Sequence, residues 1–144
     1  IRYKNADSKL IEIINQSDNN EERLAATISL GQIGSNESKQ ILKVLLNDKE
    51  PNIRWDAAVA LAKMGDNSGS DIIELLLTRN YYYNFKEVDS WEQEQAILVA
   101  INVATNINNS IINKNLEELS KTDKSMKVRD AALQAITKYK INNG

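Results

Sequence analysis

Arginine recurs at one position of a repeating pattern, as Arg23, Arg54 and Arg129. A row of guanidinium groups can bind an anion, because each presents a planar fork of N–H donors suited to carboxylate or phosphate. The same row can instead pair with acids or carbonyls of the adjacent repeat, as a ladder along a stack. Recurrence at the repeat period is what that structural role predicts. In a fourth, weaker copy the position holds Glu94. That acid would pair with a neighbouring Arg or mark a bend.

Other chemistries are narrowed by what the chain lacks. It contains no Cys and no His. Thiol nucleophiles, disulfides, Cys/His zinc sites and imidazole general bases are therefore absent together. Carboxylates such as Asp56, Asp66 and Asp71 are present, but no pair has a spacing that argues for acid–base work. There is no Gly-rich phosphate loop. The run G-D-N-S-G at 65–69 lacks calcium-ligand spacing and reads as a turn. No catalytic residue, metal or cofactor is expected.

The densest unusual chemistry lies in R-N-Y-Y-Y-N-F-K-E-V-D-S-W at 79–91. Tyr81, Tyr82, Tyr83, Phe85 and Trp91 are five of the eight aromatic residues in the protein. Tyr and Trp offer large contact area with little side-chain entropy to lose, which suits them to interfaces. The alternative is that they fold back over an irregular junction, and some of the five would pack inward in either case.

These side chains must be positioned by helices. Residues 23–34 (R-L-A-A-T-I-S-L-G-Q-I-G) match residues 54–65 (R-W-D-A-A-V-A-L-A-K-M-G) at an offset of 31. Further copies lie at 129–139 and, more weakly, at 94–104. Between them fall Leu10–Ile14, Ile41–Leu46, Ile72–Leu77 and Ile111–Leu119, a second class richer in Leu, Ile and Val. Both classes place apolar residues at i, i+3, i+4 and i+7, the pattern of amphipathic helices. The first class (A) carries paired alanines that allow close approach, whereas the second (B) supplies volume.

The resulting map is B 7–16, A 20–34, B 37–47, A 51–65, B 69–79, A 90–106, B 110–121 and A 126–140. Pro51 suits a first helical turn, and Gly34 and Gly65 stand where left-handed caps are wanted. Asp18, Asp48 and Asp123 are expected as N-caps or first-turn acids. Trp55 is expected to pack in the core or between repeats. The Arg-to-Arg spacing of 31 lengthens to 40 between Arg54 and Glu94, so 79–91 is an insertion. Insertions in repeat arrays map to loops, often on the binding side.

The run D-K-E-P-N-I-R-W-D-A-A-V-A-L-A-K-M-G-D at 48–66 resembles a HEAT-like repeat of the short bacterial type, the class also found in phycobilisome lyase subunits. Residues 21–34 and 127–136 fit the same pattern, and residues 78–92 are the main departure. The resemblance implies an all-α, α-α superhelix of about four repeats with half-repeats at both ends. It implies a single domain over 1–144, read as a piece of a longer chain. In such stacks the B helices line the concave face, which would direct Glu12, Lys43, Glu74 and Glu117 toward a partner. Lys39 and Asp71 join that row with less force. Alternating charge suits a plain solvated face equally.

The function implied is a non-catalytic scaffold that binds another protein or peptide on its concave face and aromatic insertion. Alternatives are an accessory lyase-like or chaperone-like subunit, or an architectural spacer in a membrane-associated protein. The net charge of −2 argues against nucleic acid as partner. Charge is uneven, however. Residues 1–108 hold 11 Lys/Arg against 16 Asp/Glu, and residues 109–144 hold 7 against 4. No apolar run reaches the length of a membrane span, so this segment is expected to make no membrane contact of its own. A cytoplasmic setting is favoured, with an extracytoplasmic one open if an anchor or signal precedes Ile1. The sequence leaves the oligomeric state open.

Overall fold

Four helices begin on a side chain that caps them. Asn19, Ser35, Asp89 and Asn109 each accept hydrogen bonds from backbone N–H groups of the first turn they precede. These are donors that the helix itself leaves unpaired. Asp89 also completes a capping box with Glu92. The caps differ from the expected Asp18, Asp48 and Asp123. Asn19 takes the place beside Asp18, while Asp48 and Asp123 fold into turns, accepting from the N–H groups of Glu50 and Ser125.

The computed structural model describes residues 2–143, and among them every regular element is helical. The α-helices are α1 (Arg2–Gln16), α2 (Asn20–Ile33), α3 (Asn36–Leu45), α4 (Pro51–Lys63), α5 (Ser70–Leu76), α6 (Ser90–Ala104), α7 (Ser110–Thr122) and α8 (Met126–Asn143). Two 3-10 turns, Asn67–Gly69 and Arg79–Asn84, interrupt the series. Pro51 opens α4, where its missing N–H costs no hydrogen bond. Gly34 and Gly65 adopt φ of 63° and 74°, the left-handed conformation that ends a helix cheaply only in glycine.

The chain divides into two compact units, Ile1–Gly69 and Ser70–Gly144. In the first, α2 packs against α1, α3 and α4, and α3 also packs against α4. Leu30, Leu42, Ala57 and Leu61 are wholly buried there, with Ile14, Ile53 and Leu45 beside them. Each buried leucine contributes about 1.5–3 kcal/mol relative to exposure. Small residues set the spacing. A Cβ on Gly31 would lie 2.8 Å from that of Ala60, so α2 and α4 approach this closely only with glycine at that position.

In the second unit, α5 packs on α6 and α7, and α8 on α6 and α7. Its core holds Ile73, Leu76, Ile97, Ile112, Leu116, Val128 and Ala132. Here the expected B helix of 69–79 stops at Leu76. The reason is local. Residues 79–84 turn back as a 3-10 helix that packs on α5 and α6, and the Tyr82 hydroxyl donates to the Leu76 carbonyl at 2.7 Å. The first part of the insertion is thus a 3-10 helix, and only residues 85–89 form a connecting loop before α6. α1 starts five residues earlier than the 7–16 expected, and α8 runs past 140.

Candidate functional site

Two acidic turns organise the polar chemistry, one in each unit. Asp48 stands six residues before Arg54, and Asp123 six before Arg129, in D-K-E-P-N-I-R and D-K-S-M-K-V-R. In both, the later Arg donates from Nη1 to the main-chain carbonyl of the Asp, at 2.8 Å to Asp48 and 2.7 Å to Asp123. Arg54 also reaches the Lys49 carbonyl at 3.2 Å. In both turns the Asp carboxylate is then gripped by a second arginine.

For Asp48 that second arginine is Arg23. Its Nη1 donates to Oδ1 at 3.2 Å and its Nη2 bonds Oδ2, while Nε donates to the Ile14 carbonyl at 2.9 Å. The guanidinium therefore ties the end of α1 to the turn before α4. Its hydrogen bond to Asp48 raises the Arg23 pKa against the opposing effect of burial. Burial would push the Asp48 carboxyl up. The Arg23 hydrogen bond and charge, with the Glu50 N–H, outweigh it and hold the carboxyl below its usual value.

For Asp123 the repeat position cannot serve, because it holds Glu94. Arg79, from the 3-10 turn, takes over. Its Nε donates to Oδ2 at 3.0 Å and its Nη2 to Oδ1 at 2.8 Å, a side-on bidentate pair. Burial again opposes and loses, so the Asp123 carboxyl also lies below its usual value. One difference separates the pairs. Arg79 Nη1 is buried and has no hydrogen-bond acceptor in the protein.

Arg79 lines a cleft of about 320 Å³ between the 3-10 turn and α7, with Asn80, Tyr83, Asn115, Glu118 and Lys124. Lys124 Nζ donates to the Ser90 hydroxyl at 3.1 Å across the neighbouring loop. Tyr83 stands 72% exposed at its edge. Arg79 carried no expectation from the sequence. The signal that points to it is that it is an arginine outside the repeat position, in the one copy where that position has lost its arginine.

The five aromatic residues of the insertion separate into three groups. Tyr82, counted among the partner contacts, is a core residue at 1% exposure. It belongs to the 3-10 turn that packs on α5 and α6, and burial pushes its hydroxyl well above the usual tyrosine range. Tyr81 and Phe85 are half-buried and meet edge to face at 5.1 Å between ring centroids. Tyr81 meets Tyr82 similarly at 5.6 Å. Tyr83 and Trp91 are exposed at 72% and 68%. Adjacent tyrosines point apart here because the 3-10 turn sends successive side chains in different directions.

The charged row also divides. Glu12 and Glu117 are exposed. Lys43 pairs with Asp66 at 3.3 Å, and Glu74 Oε1 accepts from Asn109 Nδ2 at 2.7 Å. Asp66 and Asn109 in turn accept backbone N–H groups at the start of the following helical segment. Lys43 and Glu74 thus brace turns within their own units. Lys39 is half-buried and Asp71 exposed, and Asp56 is half-buried, with burial raising its carboxyl against the pull of Lys63. Trp55 is buried.

Among the described residues no cluster of three His, Cys, Asp or Glu is placed to hold a metal ion, and no helix is long and apolar enough to cross a membrane. No curated protein matches the chain. The family model for HEAT repeats matches residues 8–84, more than half of the sequence. Members of that family commonly mediate protein–protein interaction and are typically non-catalytic scaffolds. With its helix pairs, recurring Arg and Ala positions and glycine-ended A helices, this chain belongs to the HEAT repeat family, of all-α, α-α solenoid class.

Proposed function

We propose that the protein is a non-catalytic scaffold that binds a partner protein or peptide, anchored by Tyr83 and Trp91. The observation that carries this reading is the exposure of those two rings, 72% for Tyr83 on the 3-10 turn that Tyr82 anchors in the core and 68% for Trp91 in the first turn of α6. An exposed aromatic on a rigid element is a binding anchor with little ordering cost. Tyr81 and Phe85 support the segment from beneath. Glu117, exposed in the same unit as the two anchors, is the member of the charged row placed to contribute a rim contact, where charge governs orientation and encounter more than affinity. Lys43 and Glu74 act within the scaffold.

A photo-reactive phenylalanine analogue at position 83 or 91, expressed in the source cells, tests the reading. Irradiation is expected to give a discrete protein adduct from both positions. Position 44, an exposed valine in the first unit, serves as control. Absence of any discrete adduct from 83 and 91, or equal adducts from all three positions, would overturn it.

A further inference from the structure

Equivalent positions of the repeat differ in what covers them. Four residues after the recurring arginine stand Thr27, Ala58 and Leu133. Thr27 and Ala58 are wholly buried. Helix α4 packs on α2, with Gly31 against Ala60, and the turn at Gly69 lies against Ala58. Leu133 has no such cover. Helix α8 packs on α6 and α7, and Leu133 and Ile141 stand 57% and 77% exposed. A terminal repeat is kept soluble by a polar outer face, and this face is apolar. A complementary gap opens on α2. Leu24 and Ile28 correspond to Trp55 and Val59 of α4, which are each 7% exposed. Leu24 is only half-buried and Ile28 is 44% exposed.

We infer that these two faces meet between copies of this chain: α8 of one copy takes α2 of the next, as α2 takes α4 within the first unit. Size agrees with this. Thr137 stands where α2 has Gly31, so the helices meet at a wider spacing, and Leu133 in place of Thr27 or Ala58 fills it. Charge selects this pairing over a symmetric one. Residues 126–143 hold four Lys/Arg against one Asp, and residues 17–34 hold one Arg against three Asp/Glu. Joining α8 to α8 sets like charges together, whereas joining α8 to α2 sets opposite charges together. Val99 of α6, the equivalent of Ile28, is also 44% exposed, but Gln95 stands beside it where α2 has Leu24. Only α2 offers two aliphatic side chains to Leu133 and Ile141.

Sedimentation velocity of the full chain tests the contact. Association is expected to grow with concentration and to pass beyond the dimer, because a head-to-tail contact leaves one face of each kind unused. Leu133→Glu and Ile28→Glu, each placing a charge in the apolar contact, should weaken association about tenfold or more, with the unfolding midpoint unchanged. Ala25→Glu, exposed on the same side of α2, replaces Ile28→Glu if that variant lowers the midpoint. Mixed together, the α8 and α2 variants should form a heterodimer and stop there, because each keeps the face that the other has lost. Val99→Glu should leave association unchanged. A chain that stays monomeric up to about 1 mM would overturn the contact. So would a dimer indifferent to both α2 variants, association indifferent to Leu133→Glu, or sensitivity to Val99→Glu in their place.

Discussion

The two units solve the same structural problem with different arginines. Each has an acidic turn before an A helix, each turn is fastened by an arginine six residues on, and each carboxylate is neutralised by a further guanidinium. In the first unit that guanidinium comes from the repeat itself, and all its N–H edges used in the pair and beyond find acceptors. In the second it comes from the inserted 3-10 turn, and one nitrogen does not. A repeat position lost to Glu94 was replaced from outside the pattern, and the replacement carries an exposed tyrosine and a cleft with it. Regularity in the first unit serves stacking. The irregular second unit is where surface chemistry collects.

The most direct way to break this comparison is to remove each carboxylate. Asp123→Ala strands Arg79 with no acceptor, and Asp48→Ala leaves Arg23 its Ile14 carbonyl. Breaking a buried pair from one side costs about 3–5 kcal/mol. Asp123→Ala is expected at the upper end and Asp48→Ala at the lower, read by urea unfolding with hydrogen exchange to assign each loss to its unit. Equal costs would mean that the Ile14 contact contributes nothing.

Tyr82→Phe sharpens the account of the insertion. It removes the donor to the Leu76 carbonyl without changing the ring, and about 1–3 kcal/mol should be lost if that buried acceptor goes unpaired. The loss should be confined to residues around 76–85, with faster amide exchange there.

Acid provides a third separation. Asp48, Asp66 and Asp123 have carboxyls held below their usual value when folded. Their stabilisation is therefore present above the unfolded value near 3.8 and is lost as pH falls through the lower folded values. Asp56 runs the other way: its folded value is raised, so its contribution is present below 3.8 and is lost as pH rises through the folded value. Asp56→Asn should thus raise the denaturation midpoint at pH 7 but not at pH 3. No difference between the two pH values would discount burial of that carboxyl.

The smallest expected effects on stability are at the proposed anchors. Tyr83→Ala and Trp91→Ala should each change unfolding free energy by less than about 0.5 kcal/mol, as surface substitutions do. Cellular crosslinking from the remaining anchor position should nonetheless fall in each variant. A large stability loss would reassign that ring to packing.

Much of this is legible in the sequence. The 31-residue offset, the paired alanines and the position of Gly34 and Gly65 depend on helical period and backbone sterics, which are local, and they placed the helix ends to within three residues except at the start of α1. Caps were less legible because Asn, Ser and Asp compete for the same role over adjacent positions. Asn19 prevailed beside Asp18, and Asp48 was drawn into a turn by Glu50 and Arg23.

What tertiary structure alone decided was the fate of the exceptional residues. Three consecutive tyrosines are chemically identical in the sequence, yet Tyr82 is core, Tyr81 is half-buried and Tyr83 faces solvent. That sorting depends on the direction of a 3-10 turn held by a bond to Leu76. Likewise the pairing of Arg79 with Asp123 joins residues 44 positions apart. Repetition can announce a ladder between equivalent positions, because each rung implies the next. A single substitute rung has no period, and only the packing of the insertion against its unit brings it within reach of the acid it serves.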